Sequence, residues 1–522
     1  MPLPDHDIAW PPTDPVVQTA LADWDAWYSS EPDRLTDRYL NRGVRELPEN
    51  RPTQLRGGVM GRLARWFWGN PTPPGEKVDK LHVPLAGDIA RTSSELLFSE
   101  PPTLTVDHAG AQDALNDLMA TGLHPILLEA GELAAALGGS YLRVVWDEEI
   151  ADLPWIDTVA GDCAVPEFAY GRLRAVTFWR VLARDGNTVL RHLERHERGA
   201  ILHGLYDGTL GTLGRRVPLT EHPQTAPLVP HLVDGDRIDT GAPEHLTAAY
   251  LPNVRPARAW RNVPAAAYWG QSDYQGIEGL MDALDETYSS WMRDVQNGKG
   301  RVIVPNTMLD SLGPGQGAVW NEERRIYSGL NMLPRPGDPD PLTVVQFEIR
   351  VQEHRDTCAA LLEQAVRQAG YSAATFGEHG DDGSAVTATE IRARQRRSMT
   401  TRSRKALYAG PPLAEITEAW LAVARGTFRV PLEVERPAVE FQDSISEAPL
   451  ELATTAELLR RAEAASDETL VQLVHPDWDA DQVAEEVARL TASREVADPF
   501  LTGAEGPPAG PPAGGAEEDE EA

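Results

Sequence analysis

Few residues in this chain have the types and spacing that chemistry requires. His192 and His196 stand four apart, the interval at which two helical imidazoles can grip one zinc ion. The text between them, His-Leu-Glu-Arg-His, is not the H-E-x-x-H of a zinc helix. Its surroundings alternate like a strand, which sets the pair on one face about 13 Å apart, too far for a shared metal. Two solvated strand histidines are expected. No phosphate-cradling G-x-x-x-x-G-K-[ST] string occurs, so the chain is not expected to hydrolyse ATP. Gly315-x-Gly317 lacks the third glycine of a dinucleotide loop and lies between strand-like runs rather than at a strand-to-helix turn. No G-x-S-x-G elbow occurs, and the many carboxylates form no constellation beyond what an acidic surface supplies. The chain therefore reads as a non-enzyme, with no catalytic residue, cofactor or metal expected.

The totals point the same way. At 522 residues the chain exceeds the size of one economical core, so several domains are expected. A formal charge of −32 repels phosphate, so contact with DNA or anionic lipid should be loose or local. Cys163 and Cys358 are too few for a disulfide framework and fit a reducing compartment, each as a small buried hydrophobe. The N-terminus MPLPDHDIAWPP has no signal-peptide pattern, and no run approaches eighteen apolar residues, so a soluble protein is expected.

The elements that would position function are clearer than any site. Ser272 to Gly370 holds two amphipathic helical patterns of about seven and six turns around an insert of roughly fifty strand-rich residues. The first stripe is Ile277, Leu280, Met281, Leu284, Tyr288, Trp291, Met292 and Val295; the second is Val351, Cys358, Leu361, Leu362, Ala365 and Val366. A lone helical pair cannot bury both stripes. It needs a third surface, from this chain or from a neighbouring subunit.

Elsewhere, residues 1 to about 75 read as a helical arm: Trp24, Trp27, Tyr28, Leu35 and Tyr39 suit a helix pair joined near Pro32, and Trp66-Phe67-Trp68 suits packing better than a membrane surface. A helix carrying Ile89, Leu96, Leu97 and Phe98 stops before Pro101, and a strand begins at Thr103. Two helical segments follow over Ala111 to Leu137, broken at Gly122 to Pro125, and then a strand over Tyr141 to Trp146. Residues 140–262 read as β-rich, with runs at Ala175 to Leu182, Thr188 to Glu197 and Ala200 to Tyr206 joined by turns at Asp185-Gly186-Asn187 and Arg198-Gly199. The insert has strand-like runs at Arg301 to Val304, Ala318 to Tyr327 and Thr343 to Ile349. After Gly370 comes a loop with Gly377, Gly380 and Gly383; then Thr387 and Glu390 read as a capping box for a basic helix ending before Gly410-Pro411-Pro412. A further helix spans Leu413 to Gly426, with strands near Val430 and Val439. Residues 447–497 read as a helical segment with a break at Pro476, and the Pro/Gly/Glu tail from Gly503 as disordered.

With that layout in place, HVPLAGDIARTSSELLFSEPP (82–102) and TATEIRARQ (387–395) carry a resemblance. The chain resembles, from about Lys80 to Val496, the portal proteins of long-tailed double-stranded DNA bacteriophages. The resemblance implies an α+β ring subunit with a β-containing wing, helical stem, β-rich clip and helical crown. In this numbering it implies an N-terminal helical arm at 1–75, wing at 76–271, stem helices at 272–297 and 349–370 flanking a clip at 298–348, a tunnel loop at 371–386, a second wing part at 387–446, a crown at 447–500 and an acidic tail at 501–522. It also implies a homo-oligomeric ring, usually a dodecamer, at a capsid vertex of the virion, assembled in the host cytoplasm. Double-stranded DNA would pass through the ring without sequence preference. Partners would be the terminase large subunit, a head–tail connector or adaptor, and the major capsid and scaffold proteins; no membrane and no cofactor are implied.

The residues that the resemblance marks out are Gly377, Glu378, His379, Asp381, Asp382 and Ser384 of the tunnel loop, whose acidic charge would let phosphate slide by without being held. Lys299 and Arg301 are possible basic residues of the channel, or else plain clip charges. Leu280, Leu284, Tyr288, Trp291, Leu361 and Leu362 would be stem contacts between subunits. The basic run Arg392, Arg394, Arg396, Arg397, Arg402, Arg404 and Lys405 lacks the interleaved aromatics of a nucleic-acid platform and is read as pairing with acidic neighbours. The alternatives are a monomeric or dimeric head-assembly adaptor, and a head-associated nuclease or protease.

Overall fold

The structure, a computed structural model, describes residues 3–42, 81–147, 149–298, 349–377, 388–442, 449–462, 464–475, 478 and 480–497, and the backbone of 301–305, 327–330 and 343–345. It is mixed α and β and divides into two compact units, residues 1–442 and 443–522.

The first unit opens with helices α1 (Pro15–Ser29) and α2 (Pro32–Arg42), turning at Pro32 as expected. Asp14 caps α1 by accepting from Val16 N–H at 2.8 Å, with Pro15 at the first helical position. Helix α3 (Leu85–Phe98) ends before the Pro101-Pro102 pair and leads into strand β1 (Thr103–Thr105). Helices α4 (Ala109–Leu118) and α5 (His124–Leu137) are separated by a wide turn in which Gly122 takes φ 132°.

Strands β2 (Gly139–Val145) and β3 (Trp155–Ala160) follow, then β4 (Ala164–Ala169), β5 (Arg172–Asp185), β6 (Thr188–Glu197), β7 (Ala200–Thr209), β8 (Arg215–Val217), β9 (Arg237–Asp239) and β10 (Ala248–Pro252). They form an antiparallel three-stranded sheet in the order β10-β2-β3 and a larger sheet in the order β4-β5-β6-β7-β8, with β9 also on β7. The alternation of side chains explains the stacking. Leu142, Val144, Ala249 and Leu251 turn to the helices, and Tyr141, Ala248 and Tyr250 turn to Val176 and Phe178 of the larger sheet. The outer face of that sheet is covered by the N-terminal residues: Leu3 and Trp10 bury against Leu193 and Tyr206, and Tyr206 Oη donates to Pro4 C=O at 2.7 Å. The sequence reading assigned residues 3–10 no such role.

Helix α6 (Glu278–Asn297) and helix α7 (Val351–Ala369) flank a small sheet in which β11 (Arg301–Pro305) lies between a parallel β12 (Tyr327–Leu330) and an antiparallel β13 (Thr343–Val345). The expected strand over Ala318–Tyr327 falls mainly outside the described residues. Helix α8 (Ala388–Gly426) is one continuous helix, and β14 (Ala438–Glu440) pairs with β1. No strand forms near Val430.

Two helices divided at Gly410-Pro411-Pro412 were expected, and the structure overturns this. Each interior proline costs about 3 kcal/mol through its missing N–H and its ring. Beyond them Leu413, Ile416, Trp420, Leu421 and Val423 are all buried in the core with α5 and β2. Burying five such side chains, at about 1.5–3 kcal/mol each, outweighs the penalty.

The second unit holds α9 (Pro449–Arg461), α10 (Asp467–Val474) and α11 (Ala480–Ala497). Ser466 caps α10 by accepting from Thr469 N–H. Its buried residues include Leu470, Val471 and Val483, whereas Leu458, expected on the apolar stripe, is exposed. Among the described residues, no helix is long and apolar enough to cross a membrane.

Candidate functional site

The α6–α7 pair is the candidate, and its two ends differ. At the end joined to the rest of the first unit, Ile277 at the N-cap of α6, Met281 and Leu284 of α6 and Cys358, Ala365 and Val366 of α7 enter a core built with Trp24 and Trp27 of α1, Leu85 and Ile89 of α3 and Trp260. The third surface that the stripes require is thus supplied here by the chain's own arm. Leu284, expected as a contact between subunits, is only 2% exposed within a single chain and has almost no surface left to offer. Leu280, Tyr288, Trp291, Leu361 and Leu362 are partly buried against the same core. Farther along, Met292, Val295 and Val351 remain 36%, 37% and 48% exposed.

Polar groups hold α6 from the side. Asp285 is buried and accepts from Val83 N–H at 2.8 Å, with His82 Nδ1 at the same distance from its other oxygen. Burial pushes the Asp285 carboxyl up, and the bond with His82 opposes it. Ser289 Oγ accepts from Leu81 N–H at 2.9 Å. Near the free end, Asp294 receives His354 Nε2 at 2.9 Å and the Arg350 guanidinium at 2.8 Å. The His354 bond, with Arg350 beside it, holds the Asp294 carboxyl below the usual range. Just beyond the two helix ends the chain segments are in close contact: a Cβ at Gly298 would meet Ile349 Cγ1 at 2.5 Å.

Where the pair leaves the core, a buried hub joins the start of α6 to the end of α7. Gly370 ends α7 with φ 102°, and Tyr371 N–H reaches back to Val366 C=O at 3.1 Å, which aims Tyr371 inward. Tyr371 Oη donates to Asp273 Oδ2 at 2.7 Å, Lys405 Nζ of α8 donates to the same oxygen and to Ser93, and Asn253 donates to Asp273 Oδ1 at 2.8 Å. Burial pushes the Lys405 ammonium down and Asp273 works against it; burial also pushes the Tyr371 phenol well up.

This corrects the reading of the basic run. Lys405 is internal, and so is Arg402, which donates to the carbonyls of Leu96 and Gln442. Arg404 donates to Arg255 C=O, while Arg396 and Arg397 are exposed. The side chains of Arg392 and Arg394 lie outside the described residues.

The loop after Gly370 begins later than expected. Ala373–Phe376 forms a 3-10 turn pinned to α8, with Thr375 Oγ1 2.7 Å and Ser372 Oγ 3.2 Å from the buried Ser398 Oγ. Gly377 is exposed at φ 80°. Glu378, His379, Asp381, Asp382 and Ser384 lie outside the described residues, as does Lys299; Arg301 is described by its backbone alone, in β11.

Sequence reasoning missed the hub because its members are scattered from residue 93 to residue 405. It also placed His192 and His196 in solvent, yet both are buried. Cys358 is buried as expected, and Cys163 only partly so.

The family described as phage portal protein, SPP1 Gp6-like, matches residues 213–499, more than half of the chain. No curated protein matches it. A solved structure described as the neck of native GTA particle computed with C12 symmetry is 14% identical, covers 84% of this chain and 97% of its own, and has a TM-score of 0.38.

Proposed function

The chain belongs to the SPP1 Gp6-like family of phage portal proteins, and on that premise we propose that it assembles into a closed ring of about twelve copies at one capsid vertex. Double-stranded DNA enters through this ring during packaging and leaves through it at ejection. The terminase large subunit docks on it first and a head–tail connector later, while capsid and scaffold proteins surround it. It is assembled in the host cytoplasm, resides in the virion and does no chemistry of its own.

The observation that carries this reading is the divided stripe of α6 and α7. Its inner half is closed by the chain's own arm, while Met292, Val295 and Val351 stay exposed on the outer half. Apolar side chains clustered at one end of a helical pair suit a neighbouring copy. The acidic stretch Glu378, Asp381 and Asp382 would face DNA, its charge keeping phosphate contacts short-lived.

The test is particle imaging with sedimentation of the purified chain. Closed rings are expected, and Met292→Glu with Val295→Glu should leave folded single chains that no longer close. Monomers or dimers of the unaltered chain across a range of salt would instead favour an adaptor.

A further inference from the structure

The larger sheet of the first unit holds a second cluster, on the face turned toward β2. Strands β6 and β7 are joined through the Arg198-Gly199 turn, and that register sets Glu194 opposite His203 and His192 opposite Leu205. Alternation puts His192, Glu194 and His203 on one face, and one ligand atom from each lies within 4.8 Å of the others. We propose that His192, His203 and Glu194 bind one divalent transition-metal ion of the zinc class between β6 and β7.

Three features of the geometry support the site. First, His192 Nε2 and His203 Nδ1 are 3.2 Å apart. Two nitrogens bound at about 2.0–2.1 Å in a tetrahedral arrangement stand about 3.3 Å apart, so the imidazoles need hardly move. The carboxylate has to close by about 1.5 Å at most, from within 4.8 Å of the nitrogens. Second, the carboxylate is oriented from behind: Arg143 Nη1 donates to Glu194 Oε2 at 2.8 Å, and His196 Nε2 lies 2.7 Å from Oε1 with its other nitrogen 2.8 Å from Thr247 Oγ1. Such outer partners hold a ligand in its binding rotamer and tautomer. Third, the surrounding charges balance: Arg143 and Arg180 stand against Glu194 and Asp157, the latter 2.7 Å from Arg143, so an incoming cation meets no net positive charge.

The protonation states agree. Burial and its neighbour His203 push His192 down to about 3, and burial pushes His203 down to about 4. Burial works to raise Glu194, but Arg143 and His196 outweigh it and hold that carboxyl well below its usual range. Two nitrogens and one oxygen favour zinc, cobalt or nickel over magnesium or calcium. The ion would tie β6 to β7 beneath the three-stranded sheet and leave one position for water.

The test uses the full-length chain without a histidine tag, stripped with EDTA and titrated with Co²⁺ and Zn²⁺. The site predicts one equivalent of Co²⁺ with the intense visible bands of tetrahedral coordination, displaced by one equivalent of Zn²⁺, and a rise in Tm with Zn²⁺ that EDTA reverses. His192→Gln and His203→Gln should each weaken binding at least about tenfold. If a variant fails to fold, the measurements on the unaltered chain still decide. Absence of tetrahedral bands and of any Zn²⁺ effect on Tm would overturn the proposal and leave a hydrogen-bonded histidine pair. Undiminished binding by a folded His203→Gln chain would overturn it too, by placing the metal elsewhere.

Discussion

Lys405→Met removes the ammonium bonded to Asp273 at the base of the helical pair, and its cost can be bounded from the structure. Both side chains are almost fully buried, at 4% and 3% exposure, so solvent cannot replace the lost charge. Removing one partner of such a pair costs about 3–5 kcal/mol. Protonation sets a ceiling: neutralising a carboxylate about three pH units above its usual range, at about 1.4 kcal/mol per unit, costs about 4 kcal/mol. Tyr371 and Asn253 still donate to Asp273, so about 3 kcal/mol is expected. Asp273→Asn removes the negative charge paired with Lys405, leaving the ammonium Ser93 and the Tyr371 ring at 5.7 Å, and should cost a similar amount. The double variant buries no charge and should lose only about 1–2 kcal/mol in hydrogen bonds, less than either single change. The assay is urea unfolding of the full-length chain by tryptophan fluorescence, comparing midpoints at constant slope, with hydrogen exchange of peptides around Tyr371. A single-variant loss under 1 kcal/mol, or a double variant equal to the sum of the singles, would refute the reasoning.

Other outcomes follow from the same contacts. Gly298→Ala drives a Cβ into Ile349 at 2.5 Å and should cost about 1–3 kcal/mol, seen as a lowered unfolding midpoint with faster exchange at the ends of α6 and α7. Trp24→Ala opens a cavity against Trp260 and the inner stripe of α6, for about 3–5 kcal/mol by the same assay; a loss under 1 kcal/mol would mean that the arm does not hold the pair. Asp381→Lys with Asp382→Lys should slow DNA packaging in vitro most at low salt while rings still form, because it adds phosphate attraction; an unchanged rate at every salt concentration would count against a DNA-facing loop.

Most of the secondary structure was legible because its signals are local. The i, i+3, i+4 spacing of Ile277, Leu280, Met281 and Leu284 outlines α6, Pro101 stops α3, and the glycine turns at Gly186 and Gly199 delimit β5, β6 and β7. Even the meeting of Glu194 with His203 was within reach, since a two-residue turn at Arg198-Gly199 sets the whole register of that hairpin. It escapes a reading along one strand because the partner of His192, His203, lies on the strand beside it.

By itself the sequence determined the two amphipathic helices, the strand-rich insert between them and an excess of apolar stripe that some third surface had to cover. Only the tertiary structure decided which surface covers which half: the arm closes over Met281 and Leu284, while Met292 and Val295 are left bare. It alone also carried α8 through Pro411-Pro412 and brought Ser93, Asp273, Tyr371 and Lys405 to one point. The physical reason is one of range. Periodicity and caps act over a few residues, whereas burial and charge pairing are settled by groups hundreds of residues apart that only packing brings within reach.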